Sequence, residues 1–196
     1  MGKREPMVRD TKQRILDAAL EVFGEKGFRG ASVDEIATSA GVTKGAVYYY
    51  FEDKDDLARD LQHLLWEELA TSALAVHDPD QSATTNLLVC FEAFLRTVQA
   101  MPGARPFLRE AWFTPALDAA GRADHEGSLG LVRGLIETGI ADGELAPLDP
   151  ETLTRVLAGA FMEATVHVLG SGTVDEALAV VGRLVGSLAR AEPVGT

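Results

Sequence analysis

The chain has 196 residues, 46% of them apolar and 24% charged, with a formal net charge of −12. This composition suits one globular domain or two small ones and excludes a disordered chain; no apolar run approaches the roughly 18 residues that a helical membrane span requires. Cys90 is the single cysteine, which excludes an internal disulfide framework and a multi-thiolate metal site. The opening Met1-Gly2-Lys3-Arg4-Glu5-Pro6 has basic residues with no apolar stretch behind them, so no secretory leader is expected and the reducing cytoplasm is the expected compartment.

In chain order, Ile15, Ala18, Ala19, Val22 and Phe23 recur at three- and four-residue steps and predict a helix over 11–28, with Asp10 or Thr11 as its cap and Gly27 as its stop. Ser32-Val33-Asp34-Glu35 is a capping box, in which hydroxyl and carboxylate each take the other residue's amide, and it opens a short helix to about Ala40. Gly41 breaks that helix, and Thr43 caps a second short one over 44–50. Asp53 caps a long amphipathic helix from Lys54 to about Val76, built on Leu57, Leu61, Leu64, Leu65 and Leu69.

A further helix carries Leu87, Phe91, Phe94, Leu95 and Val98 and ends at Met101-Pro102-Gly103. Residues 104–122, with Trp112, Phe113 and Pro115, read as a broken stretch. A helix near 125–142 stops at Gly143. Asp149-Pro150-Glu151 starts another, to about Leu169, and the capping box Thr173-Val174-Asp175-Glu176 starts the last, to about Arg190. The expectation is an all-α chain of about nine helices. Residues 9–60 form a three-helix head containing a helix-turn-helix at 32–51, 61–190 form a helical body, and 191–196 a flexible tail.

The charge divides along the same line. Residues 1–54 hold nine basic and nine acidic side chains, whereas the rest hold nine basic against twenty-one acidic. A neutral head with a basic arm on an acidic body suits a head that meets phosphate, or equally an acidic body that keeps the protein dispersed.

Within 32–51, Val42 and Val47 are expected to pack inward with Tyr50 or Phe51, Phe51 being the better core residue. The helical period then turns Lys44, Gly45, Tyr48 and Tyr49 outward. Thr43 and Lys44 stand at a helix start, where free amides favour phosphate; Gly45 lets backbone approach a groove; phenol groups can donate to phosphate and lie against sugars or thymine methyls.

Thr11-Lys12-Gln13-Arg14-Ile15-Leu16-Asp17-Ala18-Ala19, Phe23, Gly27, Ser32-Val33-Asp34-Glu35-Ile36-Ala37, Ala40-Gly41-Val42 and the run from Gly45 through Tyr48-Tyr49-Tyr50-Phe51 to Leu57 resemble the tetracycline-repressor (TetR) family of bacterial transcription regulators. The match covers roughly residues 9–60; Tyr50 departs from the histidine common at its place in the family. The resemblance implies an all-helical homodimer with an N-terminal DNA-binding head and a C-terminal ligand-binding and dimerisation body. It implies DNA contacts at Ser32, Thr43, Lys44, Gly45, Ala46, Tyr48, Tyr49 and Lys54. The arm through Arg4 and Arg9 would add phosphate or minor-groove contacts.

In the body, apolar and small residues on more than one face of the helices near 150–169 and 174–190 suit a four-helix dimer interface. Phe91, Phe94, Trp112, Phe113 and Met162 are candidates to line an effector pocket; Glu163, with His167 one turn later, reads either as a buried carboxylate of that pocket, partnered by His167 or a cationic ligand, or as a polar dimer contact or solvated edge. Histidine spacing gives no metal site, no cofactor motif is present, and catalysis is not expected. The expected function is that of a ligand-responsive homodimeric repressor of double-stranded operator DNA, released by an unknown small molecule, cytoplasmic and nucleoid-associated when DNA-bound, with no membrane partner. The alternative is a helical small-molecule binder, or an activator using the same head.

Overall fold

The computed structural model describes residues 4–101, 103–112, 114 and 129–189, with the side chains of 4–9 and of Trp112 left aside. Among these residues there are nine helices: α1 (Arg4–Gly30), α2 (Val33–Ser39), α3 (Lys44–Tyr50), α4 (Lys54–Leu74), α5 (Ala83–Ala100), α6 (Ala104–Trp112), α7 (129–141), α8 (Pro150–Gly170) and α9 (Val174–Leu188). Paired extended backbone is limited, among the described residues, to one bridge between Leu145 and Ala189.

Local chemistry sets most boundaries. Ser32, Thr43, Asp149 and Thr173 each accept an amide of the following first turn, and both expected capping boxes are formed. Gly27, Gly41 and Gly143 take positive φ of 72°, 64° and 77° where helices break. Two expectations change. Asp10 and Thr11 lie inside α1, which begins at Arg4, so neither caps it. Residues 104–112, read from sequence within a broken stretch, form α6: Pro106 falls in its first turn, where no intrahelical amide bond is lost, and Ala104, Phe107, Leu108 and Ala111 make its buried stripe.

The described residues form two compact units, one of residues up to Trp66 with Met101–Thr114, the other of Glu67–Ala100 with 129–189. This division differs from the sequence boundary at 60/61, because α6 joins the head. In the first unit Phe107 stacks on Phe23 at 5.1 Å between centroids, both rings fully buried, and Phe28 tilts against Phe23 at 5.6 Å. A Cβ on Gly24 would meet the Gly103 carbonyl at 2.5 Å, so α1 runs against backbone there. Glu110 of α6 accepts the amide of Phe28 at 2.6 Å and that of Arg29 at 3.4 Å, satisfying donors freed by the break at Gly27.

In the second unit α5, α8 and α9 pack together, with Phe91 stacked on Phe161 at 4.3 Å. Buried Asn86 ties the preceding turn, donating to Asp78 O and accepting its amide. Among the described residues no helix is long and apolar enough to cross a membrane.

The α2 capping box carries a pH signature. The Lys26 ammonium, then the Ser32 hydroxyl and amide, hold the Glu35 carboxyl down to about 2 from its ordinary value of 4.5. A lowered carboxyl contributes stability that is whole above 4.5 and is lost as pH falls through 2. The stability gap between wild type and Glu35→Gln, read by circular dichroism on denaturant titration, is therefore expected to stay constant above 4.5 and to close as pH falls towards 2.

Candidate nucleic-acid interface

The turn between α2 and α3 is fixed from three sides. The Gly41 amide donates to Thr38 O and that of Val42 to Ala37 O, a Schellman closure that needs the positive φ of Gly41. Arg14 of α1 donates to Ala40 O at 2.5 Å and to Gly41 O at 3.4 Å. On the far side Thr43 Oγ1 accepts the Ala46 amide at 3.1 Å and starts α3. Val47 and Phe51, 1% and 2% exposed, anchor α3 to the core, as the helical period requires.

With that face buried, the other stands in solvent. Tyr49 is 77% exposed and Tyr48 48%, although large aromatic rings are rarely left so bare without a use. Tyr50 is half-buried and meets Tyr49 edge-on at 5.0 Å. Ser32, Thr43, Lys44 and Gly45 are exposed and Ala46 is half-buried. A Cβ on Gly45 would meet nothing nearer than Thr43 Oγ1 at 3.9 Å, so glycine here leaves room outside the protein and relieves no clash within it.

Lys44 Nζ lies 2.8 Å from Asp34 of α2, whose hydrogen bond and charge raise the ammonium's pKa. Lys54 is half-buried. Its Nζ donates to Phe28 O at 2.7 Å and Ala31 O at 2.9 Å and sits 4.6 Å above the Phe28 ring, so it ties α4 to the end of α1. The side chains of Arg4 and Arg9 lie outside the described residues.

Of the candidate pocket residues, Phe91, Phe94 and Met162 belong to the second unit and Trp112 to the first. Phe91 is buried in its stack with Phe161, and Phe94 and Met162 are half-buried. Trp112 closes α6, and Phe113 lies outside the described residues. Of the two readings of Glu163 the buried carboxylate does not hold within the subunit: Glu163 and His167 are both exposed, as a solvated edge or dimer contact requires, and the His167 ring lies 3.6 Å from Glu176 of α9. The cause is angular. The buried stripe of α8 runs through Leu157, Phe161, Thr165 and Val168, and Glu163 follows Phe161 by about 200° of turn. Cys90 is buried, which pushes its thiol pKa up and suits a packing role. Among the described residues no group of three or more His, Cys, Asp or Glu could hold a metal.

Sequence reasoning passed over Arg14 as the brace of the turn, Asp34 as the partner of Lys44, and Glu110. Each acts across 10 to 82 residues of chain, beyond the reach of helical spacing.

The arrangement agrees with what the chain is similar to. Residues 15–61 match the family described as bacterial regulatory proteins, tetR family, and residues 84–191 match the tetracyclin repressor-like C-terminal domain. TtgW, an HTH-type transcriptional regulator of Pseudomonas putida, is 37% identical over 41% of this chain and 74% of its own length; SrpR of the same species is 38% identical over 41% of this chain and 46% of its own. A tetR family transcription regulator from Shewanella sp. PV-4 superposes with a TM-score of 0.74 at 25% identity, over 93% of this chain and 99% of that one. FadR of Bacillus subtilis, solved with stearoyl-CoA, shares the fold at a TM-score of 0.79 and 22% identity, over 89% and 97% of the two chains. Matches that between them take in the head and most of the body lead to one conclusion: the chain belongs to the tetR family of bacterial regulatory proteins, as a DNA-binding helix-turn-helix transcriptional regulator.

Proposed function

We propose that the protein is a homodimeric repressor that holds operator DNA with α3 of each subunit and releases it when a small molecule binds the body. The observation that carries this is the solvent-facing side of α3, where Tyr48 and Tyr49 stand bare beside a capped helix start and an open Gly45. In this reading Ser32, Thr43 and the first amides of α3 take phosphate, Lys44, Gly45 and Ala46 approach base edges, and the two tyrosines reach backbone and groove. Lys54 acts through the placement of α1 rather than by touching DNA. The first unit, with the helix-turn-helix and α6, serves as the reading domain and the second as the effector and dimer domain, acting in the cytoplasm without catalysis.

Exposed apolar side chains support dimerisation: Val156 of α8 is 58% exposed, and Val180 and Leu184 of α9 are 70% and 37% exposed. Two-fold pairing through these helices would present two copies of α3 to successive major grooves, about 34–36 Å apart. Placing a charge there with Val180→Asp is expected to shift the protein from dimer to monomer in sedimentation and to abolish operator retention, with helix content unchanged. The repressor sign is supported by relatives such as BepR of Brucella suis, named a transcriptional repressor and 41% identical over 31% of this chain. The acidic body favours a cationic or neutral effector, and Phe91, Phe94 and Met162 are its candidate contacts. A gel shift with DNA from upstream of the protein's own coding sequence tests the reading; no retained duplex at low ionic strength would end it.

A further inference from the structure

All four lysines described in the head are already held by groups of the head itself. Lys12 pairs with Asp60 at 2.7 Å, Lys26 with Glu35 at 2.5 Å and Lys44 with Asp34 at 2.8 Å, while Lys54 binds two carbonyls. Of these, Lys44 stands on the helix that faces DNA in the reading above, and Asp34 stands on the other helix of the same motif. Both side chains are at least half exposed, 50% and 66%, so no packing locks the pair and a stronger acceptor can take the lysine. Asp34 also lines an open groove of about 440 Å³ between α1 and α2, with Glu21, Glu25 and the paired Lys26 and Glu35. Carboxylates therefore outnumber the one lysine in that groove, and residues 1–54 carry no excess of positive charge.

We propose that Asp34 is a specificity-determining residue of the head: by holding Lys44 Nζ, it turns each duplex contact of that lysine into an exchange of partners. On arbitrary DNA a lysine gains chiefly by displacing a condensed cation from phosphate. Here the exchange uncovers a carboxylate beside a polyanion, which cancels that gain. On the operator, an acceptor placed to receive the ammonium replaces the carboxylate in full, and binding proceeds. An exposed pair of this kind shifts affinity only a few-fold. That factor acts in each subunit and against every competing site in a genome, and so it raises the ratio that matters for regulation. The inference rests on α3 being the DNA-facing helix.

The test uses the full chain as wild type, Asp34→Asn, Lys44→Met and the double variant. Each is titrated over a salt series with a mixed-sequence duplex and with a duplex selected by the wild type from a random pool. Asp34→Asn is expected to bind the mixed-sequence duplex about two- to fivefold more tightly per subunit. Its log–log salt slope should be steeper by about 0.9 per subunit. The selected duplex should gain less, so that discrimination falls, and less than half of the gain, on a logarithmic scale, should survive in the Lys44→Met background. Survival of more than half would mean that Asp34 merely repels DNA, and would overturn the proposal. So would an unchanged Asp34→Asn affinity in a protein that Lys44→Met weakens. If Lys44→Met leaves both duplexes bound as before, the reading of α3 fails and takes the inference with it. Asp34→Ser must reproduce the Asp34→Asn result, with circular dichroism confirming that both variants are folded.

Discussion

Tyr49→Ala is expected to weaken operator binding by about thirtyfold or more, from about 1–3 kcal/mol of lost groove and backbone contact in each of two subunits. The melting temperature should barely move, because a ring 77% exposed contributes little to the core, its main described contact being the edge of Tyr50. Tyr49→Phe separates the two uses of the side chain: a phenol that donates to phosphate loses most of its effect, whereas a ring lying on sugar or methyl keeps it. Fluorescence anisotropy with the upstream duplex reads the affinity, and differential scanning calorimetry the stability. Wild-type affinity in Tyr49→Ala would remove α3's outer face from the interface.

Phe107→Ala should act by the opposite route. The ring is fully buried, stacked on Phe23, and belongs to α6, outside the helix-turn-helix. Truncating a buried phenylalanine costs about 3–5 kcal/mol through lost transfer energy and the remaining cavity. In a unit of this size that lowers the melting temperature by about 10 °C or more. The expected result is loss of operator retention on warming, with wild-type affinity recovered in the cold, where the head is still folded. Phe107→Leu, which keeps most of the volume, should recover most of the stability. An unchanged melting curve in Phe107→Ala would show that α6 does not support the head.

The two predictions also mark what the sequence made legible. α2, α3, α8 and α9 could be bounded closely because Ser32, Thr43, Asp149, Thr173 and the turn glycines act on amides within a few residues of themselves. The outward set of α3 followed from one buried anchor, Val47, and the helical period. Contacts closing long loops were not legible. α6 lay inside the stretch read as broken up to Pro115, although the spacing of Ala104, Phe107, Leu108 and Ala111 is itself helical. Lys54 has the position of a phosphate ligand, yet finds acceptors 23 and 26 residues back. Glu163 and His167 share a helical step, but that step does not say which side of α8 faces the core, and a carboxylate from the next helix lies nearest the imidazole.

The stacking of Phe107 on Phe23 has a consequence for biosynthesis. The DNA-reading motif is complete in the nascent chain long before α6 leaves the ribosome, and until then the α1 surface that receives Phe107 has no cover. The reader of the operator is translated first and matures late, so a message truncated between α4 and α6 yields a polypeptide with its recognition residues in place and an apolar flank for chaperones or proteases to seize.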